Sequence, residues 1–121
     1  MKVAIMGAGL SGLSCAKYLE DHNIEPVIFE KRERVGERFP NMEAVIQLVH
    51  RPLKDPLIYI NKKYNINLVP AGIVHTLEIH SPNHKAVFTG YNLGYTSIRG
   101  HDDRSWERQL ARQVRAKIHF N

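Results

Sequence analysis

The sequence predicts an α/β fold in which a parallel sheet is combined with a small inserted antiparallel sheet. Two short apolar runs, residues 2–6 and 26–30, flank a segment with helical spacing, and a helix that crosses between two such strands implies that they are parallel. Further along, residues 73–80 and 85–89 are separated by Ser-Pro-Asn-His, a spacing typical of an antiparallel hairpin. The chain of 121 residues has the usual size of one domain, so we expect one core.

The first forty residues predict a strand, a helix, a strand and a loop. Residues 2–6, Lys-Val-Ala-Ile-Met, are short and apolar and end at a glycine, which indicates a buried strand. Residues 10–22 carry leucine and alanine at helical spacing. Residues 26–30, Pro-Val-Ile-Phe-Glu, contain β-branched and aromatic side chains that favour a strand. The charged stretch 31–40, with Gly36 inside it, predicts a loop at the carboxyl edge of the sheet.

The middle of the chain predicts a mixed insertion. We expect a short helix at 43–49 and a second helix at 55–65, with Pro52 and Pro56 in the segment that leads into the second. The hairpin strands follow at 73–80 and 85–89, and residues 95–98 are expected to add a third antiparallel strand.

The last twenty residues predict a helix and a third parallel strand. Asp102 or Asp103 can cap a helix that runs to about Arg115, because a short acceptor side chain satisfies amides of the first turn. Residues 117–120, Lys-Ile-His-Phe, then resemble the start of a strand. The expected organisation is a single dinucleotide-binding domain, 1–121, with the βαβ core and ribose loop at 1–40, the inserted helices and antiparallel strands at 41–98, and the final helix and strand at 102–121.

A glycine-rich motif lies between the first strand and the first helix. Gly7-Ala8-Gly9-Leu10-Ser11-Gly12 matches G-x-G-x-x-G in the context that this motif requires. The first glycine permits the tight turn, the second lets a pyrophosphate approach the backbone, and the third lets helix and strand pack closely. The pyrophosphate would then lie at the helix N-terminus, where unpaired amides and the helix dipole attract anions.

An acidic residue ends the second strand, where it can bind an adenosine ribose. Glu30 stands at the position from which a carboxylate accepts ribose hydroxyl hydrogen bonds and disfavours a 2′-phosphate. Lys31 and Arg32 follow directly and are included among the candidate cofactor contacts. Together with Arg34 and Arg38 they have two interpretations, a 2′-phosphate contact or a solvated basic loop, and we favour the loop. The motif predicts dinucleotide binding, but FAD and NAD can both use it.

Two stretches resemble known flavoproteins. Residues 2–36, with Val-Ala-Ile-Met-Gly-Ala-Gly-Leu-Ser-Gly-Leu and later Val-Ile-Phe-Glu-Lys-Arg, resemble the FAD-binding N-terminus of two-dinucleotide-binding-domain flavoproteins. Residues 94–99, Gly-Tyr-Thr-Ser-Ile-Arg, and 106–110, Trp-Glu-Arg-Gln-Leu, resemble the segment that enters the third Rossmann element in the geranylgeranyl reductase-like branch. That branch is also similar to aromatic hydroxylases.

This resemblance implies a Rossmann-like domain that holds the ADP moiety of FAD. The glycines of the motif and Glu30 would take those roles, and Arg99 would match an arginine near the flavin; by its position alone, Arg99 is equally a surface arginine at a strand end. The implied function is the FAD-binding portion of a flavin-dependent oxidoreductase, in which the flavin carries the hydride chemistry. An isoprenoid or lipid substrate is suggested by residues 94–110 only.

The resemblance also implies that further protein is required for catalysis. Complete relatives continue with a second flavin-contacting motif and a substrate domain, so we expect a C-terminal region or a partner chain to supply them. No catalytic residue is predicted, and this chain alone is not expected to be catalytically complete. The alternative is a stand-alone module that binds FAD, NAD or another adenine nucleotide without catalysis.

Charge and composition bear on the other candidate partners. The formal charge of +5 favours anionic partners, and a dinucleotide pyrophosphate suits it as well as nucleic acid does. An arginine stripe on the last helix could contact phosphates, but we interpret it as a solvated amphipathic face, so no nucleic acid is expected. The stripe consists of Arg104, Arg108, Arg112 and Arg115.

Histidine and cysteine usage predicts neither a metal site nor a disulfide. The chain has seven histidines without a ligand cluster, since His75 and His80 would face opposite sides of one strand. The single cysteine, Cys15, is interpreted as small buried filler, although a helix N-terminus can lower a thiol pKa. A single cysteine favours a reducing compartment, so a cytoplasmic protein is expected. No apolar run approaches the ~20 residues of a membrane span.

Overall fold

A computed structural model describes residues 1–48 and 55–121 of the chain. The described residues form the predicted α/β fold, with a three-stranded parallel sheet and a three-stranded antiparallel sheet. In chain order the elements are β1 (Lys2–Met6), α1 (Leu10–Asp21), β2 (Glu25–Glu30), β3 (Met42–Leu48), α2 (Pro56–Tyr64), β4 (Gly72–His80), β5 (Lys85–Arg99), α3 (Trp106–Ala111) and β6 (Ile118–Phe120).

The parallel sheet has the strand order β1-β2-β6 and confirms the predicted βαβ unit. Strand β1 pairs with β2 from Lys2 opposite Glu25 onward, and β6 pairs on the other side of β2, with Ile118 opposite Ile28. Helix α1 connects β1 to β2 and packs against both strands, and α3 packs against α1 and contacts β5. Buried apolar side chains from these elements and their connections make one core, namely Ala8, Leu13, Ala16, Ile28, Val35, Ile66 and Leu110.

The antiparallel sheet has the order β3-β5-β4. The predicted hairpin is confirmed, with His80 opposite Lys85 at its turn. The prediction of a separate third strand at residues 95–98 is wrong, because these residues continue β5 without a break. The 15-residue strand β5 therefore pairs with β4 on one side and, from Gly94 to Arg99, with β3 on the other.

The expected short helix at 43–49 is wrong over the residues that the structure describes. Residues 42–48 form β3, which is antiparallel to β5 with Met42 opposite Arg99, while residue 49 lies outside the described ranges. Met, Glu, Ala, Gln and Leu are good helix formers, but pairing with a strand some fifty residues later in the sequence overrides that local preference.

The second predicted helix, 55–65, is confirmed as α2 with both of its ends defined by side-chain chemistry. Asp55 caps it by accepting hydrogen bonds from the amides of Leu57 and Ile58, each of 3.0 Å. Asn65 ends it in the left-handed region, at φ 51°, which a short polar side chain tolerates.

The final helix is shorter than expected. Its N-cap is Ser105, whose Oγ accepts from the amide of Arg108 at 3.2 Å, so the predicted caps at Asp102 and Asp103 are wrong. The helix ends at Ala111 and does not reach Arg115. The Asp102 carboxylate instead accepts hydrogen bonds from the backbone amide and the side chain of Arg104, which precedes the helix.

Two further observations concern expectations about Cys15 and membranes. Cys15 is exposed, so its interpretation as buried filler is wrong; the neighbouring Ala16 faces the core instead. Within the described ranges, no helix is long and apolar enough to cross a membrane.

Candidate dinucleotide-binding site

The glycine motif forms a tight turn that leads from the end of β1 into α1. Gly7 has φ +102°, a conformation that L side chains rarely adopt, and its amide donates a 2.7 Å hydrogen bond to the carbonyl of Phe29 at the end of β2. Helix α1 then begins at Leu10, and the amide of Leu13 donates to the carbonyl of Gly9. The turn therefore sets the helix N-terminus at the carboxyl edge of the parallel sheet.

The other two glycines of the motif meet different surroundings. A Cβ atom at Gly12 would lie 1.9 Å from the carbonyl oxygen of Gly7 and 3.2 Å from the side chain of Ile5. A Cβ atom at Gly9 would meet nothing within 4 Å. Gly12 is thus required by the packing of α1 on the turn, whereas the space beside Gly9 is open for a ligand.

Glu30 joins the end of β2 to the glycine turn. Its Oε2 accepts a 2.7 Å hydrogen bond from the amide of Ala8, and its Oε1 accepts one of 3.0 Å from the amide of Arg32. The carboxylate is held by both chain segments beside the helix N-terminus. Each oxygen has capacity for another hydrogen-bond donor in addition to these amides.

The loop after β2 is fixed against the end of β5. Gly36 has φ +81°, and a Cβ atom there would lie 1.8 Å from the carbonyl oxygen of Gly100. Asn41 strengthens the same junction, because its Oδ1 accepts from the amides of His101 and Asp102 at 2.8 Å. The antiparallel sheet thereby determines where the basic loop lies.

Arg99 leaves the end of β5 and forms an ion pair with a buried acid. Its Nε donates to Oε1 of Glu107 at 2.7 Å, and the Glu107 side chain is only 2% exposed. The Arg99 guanidinium also lies 4.6 Å from the ring centroid of Phe39, within the range of a cation–π contact. The arginine is therefore held both by charge and by an aromatic ring.

These groups surround one cleft of about 1080 Å³ at the carboxyl edge of the parallel sheet. The structure brings together around it every residue that the sequence suggests for cofactor binding, namely Gly7, Ala8, Gly9, Leu10, Ser11, Gly12, Glu30, Lys31, Arg32 and Arg99. Their roles in binding stay a prediction. Such a position, outside the carboxyl ends of parallel strands, is where α/β sheets bind ligands.

Sequence reasoning missed several residues that line the same cleft. They come from the basic loop, from α3 and from β6, and include Gly36, Glu37, Phe39, Glu107, His119 and Phe120. Of these, His119 stacks on Phe29 with ring centroids 5.2 Å apart. Gly36 was the one sequence signal, since a glycine within a charged loop suggests a backbone that side chains would obstruct.

The arginine stripe is largely neutralised by neighbouring acids. Asp102 pairs with Arg104, and Asp103 lies 2.9 Å from Arg112 and 3.4 Å from Arg108. The fourth arginine of the stripe is 3.6 Å from Glu20. Ion pairs of this kind reduce the positive potential available to a nucleic acid.

The histidines are not gathered into a metal site in the part of the chain that the structure describes. No group of three or more His, Cys, Asp or Glu side chains could hold a metal ion there. His75 lies near the carbonyl of Gly90, whereas His80 contacts Glu78.

A separate polar network lies where α2 meets β5. The Tyr95 hydroxyl donates a 2.6 Å hydrogen bond to Oδ2 of Asp55 and accepts one from the Asn92 amide. Burial raises the pKa of Asp55, but hydrogen bonds from Tyr95 and from the amides of α2 outweigh it and hold that pKa below 3.8. The same hydrogen bond, with burial, raises the pKa of Tyr95 above 10.0.

Comparison with known proteins finds similarity over the residues that form the glycine turn and Glu30. Residues 5–52 match the family described as NAD(P)-binding Rossmann-like domain. Over 36 residues, which are 30% of this chain, the sequence is 58% identical to 15-cis-phytoene desaturase of Synechococcus elongatus and 50% identical to a flavin-containing amine oxidase of Oncorhynchus mykiss. The matches cover 8% and 7% of those two proteins.

The fold is shared over nearly the whole chain with a solved structure. A geranylgeranyl bacteriochlorophyll reductase-like protein from Thermoplasma acidophilum superposes with a TM-score of 0.65 and 17% identity, covering 98% of this chain and 29% of that one. At that coverage the superposed region extends beyond the βαβ unit to the residues of the antiparallel sheet. The family match, the relatives and the shared fold together confirm that the chain contains a Rossmann-like dinucleotide-binding part of the type found in flavoprotein relatives.

Proposed function

We propose that the cleft binds the ADP half of FAD and that the chain is the FAD-binding portion of a flavin-dependent oxidoreductase. One observation carries the proposal: the glycine turn, Glu30 and Arg99, which are far apart in sequence, line one cleft at the carboxyl edge of the parallel sheet. The similarity to a flavin-containing amine oxidase over the glycine motif favours FAD as the dinucleotide.

Each part of the cleft has a role in this proposal. The pyrophosphate lies at the N-terminus of α1, where the first amides of the helix have no carbonyl partner within the helix and the space beside Gly9 is open. The ribose hydroxyls donate to Glu30, which the amides of Ala8 and Arg32 hold in place. Lys31 lines the cleft beside it. The flavin supplies hydride chemistry when bound, and the chain binds and orients it.

Further protein completes the enzyme in this proposal. The matched segments make up 8% of the phytoene desaturase and 7% of the amine oxidase, and the chain covers 29% of the solved reductase-like protein. We propose that residues 1–121 form one dinucleotide-binding domain and that a further region or a partner chain provides the substrate domain. Cys15, as the single cysteine, supports a reducing, cytoplasmic location.

NAD is the alternative cofactor, in a stand-alone module without catalysis. The matching family is described as NAD(P)-binding, and the glycine turn with Glu30 suits NAD as well as FAD. A carboxylate at the ribose disfavours NADP.

Calorimetric titration of the chain with FAD, NAD and NADP tests the proposal. Gly9→Ala tests the pyrophosphate position. Its methyl group would meet no other part of the protein within 4 Å, but it would occupy the space that the proposal assigns to the pyrophosphate. Gly90→Ala, in β5 and outside the cleft, is the control; its methyl group would lie 2.9 Å from the end of the flexible Leu93 side chain. FAD binding that Gly9→Ala abolishes and Gly90→Ala preserves supports the proposal. Preference for NAD supports the alternative, and wild-type protein that binds none of the three contradicts both.

A further inference from the structure

The ion pair between Arg99 and Glu107 is unequally exposed. The Glu107 side chain is 2% exposed and the Arg99 side chain 23%, although both line the cleft. Glu107 also lies 3.4 Å from the amide of Gly100. The acid is thus a buried support, and the arginine is the member of the pair that reaches the open space.

Arg99 uses one of its donors within the described part of the protein. Its Nε donates to Glu107, and no other hydrogen bond from its guanidinium is formed to residues 1–48 or 55–121. A guanidinium has five N–H donors in a rigid planar fork. The Phe39 ring centroid lies 4.6 Å from the central carbon of the guanidinium, so the group is held near that ring while its outer Nη groups are left for a ligand.

We propose that Glu107 is a positioning residue that holds the Arg99 guanidinium so that its outer N–H groups bind phosphate oxygens of a nucleoside diphosphate moiety in the cleft. The inference rests on the proposed function and extends it, because the glycine motif itself binds pyrophosphate through backbone amides and requires no side-chain cation. A planar guanidinium can bind a carboxylate on one edge and a phosphate on another.

This arrangement distinguishes arginine from lysine at position 99. A lysine ammonium is a compact point charge, and the buried Glu107 carboxylate would hold it, because a buried charge without a partner is strongly unfavourable. Arg99→Lys should therefore keep the ion pair and the fold but lose the contact with phosphate. Glu107→Gln should keep a hydrogen-bond acceptor but release the guanidinium from its fixed orientation.

The test compares ADP and FAD with adenosine, which has the same base and ribose but no phosphate. Calorimetric affinities are measured for the wild type, Arg99→Lys and Glu107→Gln, with Glu78→Gln as the control, since Glu78 pairs with Lys85 at 2.9 Å on the distant hairpin. We expect each test variant to bind ADP and FAD about tenfold more weakly, as loss of a charge-assisted hydrogen bond implies. Adenosine affinity and the control variant should stay at wild-type values.

A second readout does not depend on a ligand. In the wild type, the Nε–H proton of Arg99 should exchange slowly with water in NMR spectra, and Glu107→Gln should make it exchange quickly. Wild-type protein that binds neither FAD nor ADP would overturn the proposed function. If the wild type binds ADP, unchanged ADP affinity in Arg99→Lys would overturn the phosphate contact of Arg99, and unchanged ADP affinity in Glu107→Gln would overturn the positioning role of Glu107. Equal losses for ADP and adenosine in both variants would overturn both, and none of these results would contradict the proposed function.

Discussion

The carboxylate of Glu30 accepts a 2.7 Å hydrogen bond from the backbone amide of Ala8, 22 residues earlier in the chain. This bond connects the end of β2 to the turn that begins α1. The residue assigned to the ribose therefore also stabilises the turn that is assigned to the pyrophosphate.

Glu30→Ala should consequently reduce stability even when no nucleotide is present. The variant leaves the amide of Ala8 without its acceptor, and we expect a loss of about 1–2 kcal/mol in the free energy of unfolding. Urea denaturation measures it. Glu25→Ala, at the exposed start of the same strand, should change the midpoint little. Equal midpoints for Glu30→Ala and the wild type would contradict a structural role for the bond.

The glycines at positions 9 and 12 should respond differently to alanine. A Cβ at Gly12 would lie 1.9 Å from the backbone carbonyl of Gly7, which cannot move without displacing the turn. We expect Gly12→Ala to lower the free energy of unfolding by about 1–3 kcal/mol, as overpacking does. Gly9→Ala should change the free energy of unfolding little, since no other part of the protein lies within 4 Å of the added methyl group. Thermal unfolding of both variants checks this, and similar melting temperatures would refute the packing argument.

The hydrogen bond between Asp55 and Tyr95 should make stability depend on pH. The pKa of Asp55 is lowered in the folded protein below 3.8, so its contribution is present above that pH and is lost as the pH falls through the folded value. The pKa of Tyr95 is raised above 10.0, so its contribution is present below that pH and is lost as the pH rises through the folded value.

Tyr95→Phe should therefore destabilise the protein most at pH values between the folded-state pKa of Asp55 and that of Tyr95. Chemical denaturation from pH 2 to pH 8 is the measurement, and the difference between wild type and variant should shrink in acid. Tyr91→Phe is the control, because Tyr91 is 90% exposed. A difference that stays constant across this pH range would show that the Asp55 carboxylate does not contribute.

Glu20 should stabilise the segment that leads into β6 at the end of the chain. Its buried carboxylate accepts from the amide of Arg115 at 2.8 Å and from that of Ala116 at 2.5 Å, so it holds the segment that enters β6. Glu20→Gln retains one acceptor and removes the charge, and we expect a loss of about 1–2 kcal/mol in the free energy of unfolding. Urea denaturation measures this loss, and Glu25→Gln is the control because Glu25 is exposed and its substitution should not change stability. Equal losses in the two variants would contradict a specific role for the contacts of Glu20 with Arg115 and Ala116.

The sequence predicts the βαβ unit closely because its signals are local. The glycine motif fixes the end of β1 and the start of α1, and Glu30 ends β2 in both prediction and structure. A glycine motif of this kind predicts the backbone conformation directly, because glycine is required where φ is positive or where another group closely approaches the backbone. The ligand-facing edge of the parallel sheet follows from them.

The rest of the fold and of the candidate site depends on contacts between residues that are distant in sequence, and no local pattern predicts such contacts. Residues 42–48 have helix-forming side chains but become a strand because β5 pairs with them. Asp102 is a suitable cap by type, but the backbone and side chain of Arg104 engage it, and Ser105 becomes the cap. Likewise, Glu107 gave no signal in the sequence, because its importance arises only when Arg99 lies beside it.

The close contact between Gly36 and Gly100 has a consequence for how the protein responds to a nucleotide. It links the basic loop to the end of β5, so a ligand held by that loop would also restrain a strand of the other sheet. Free energy gained by binding in the cleft would then be shared with the antiparallel sheet. Slower amide hydrogen exchange along residues 94–99, far from the glycine motif in sequence, would be the signature of an occupied site.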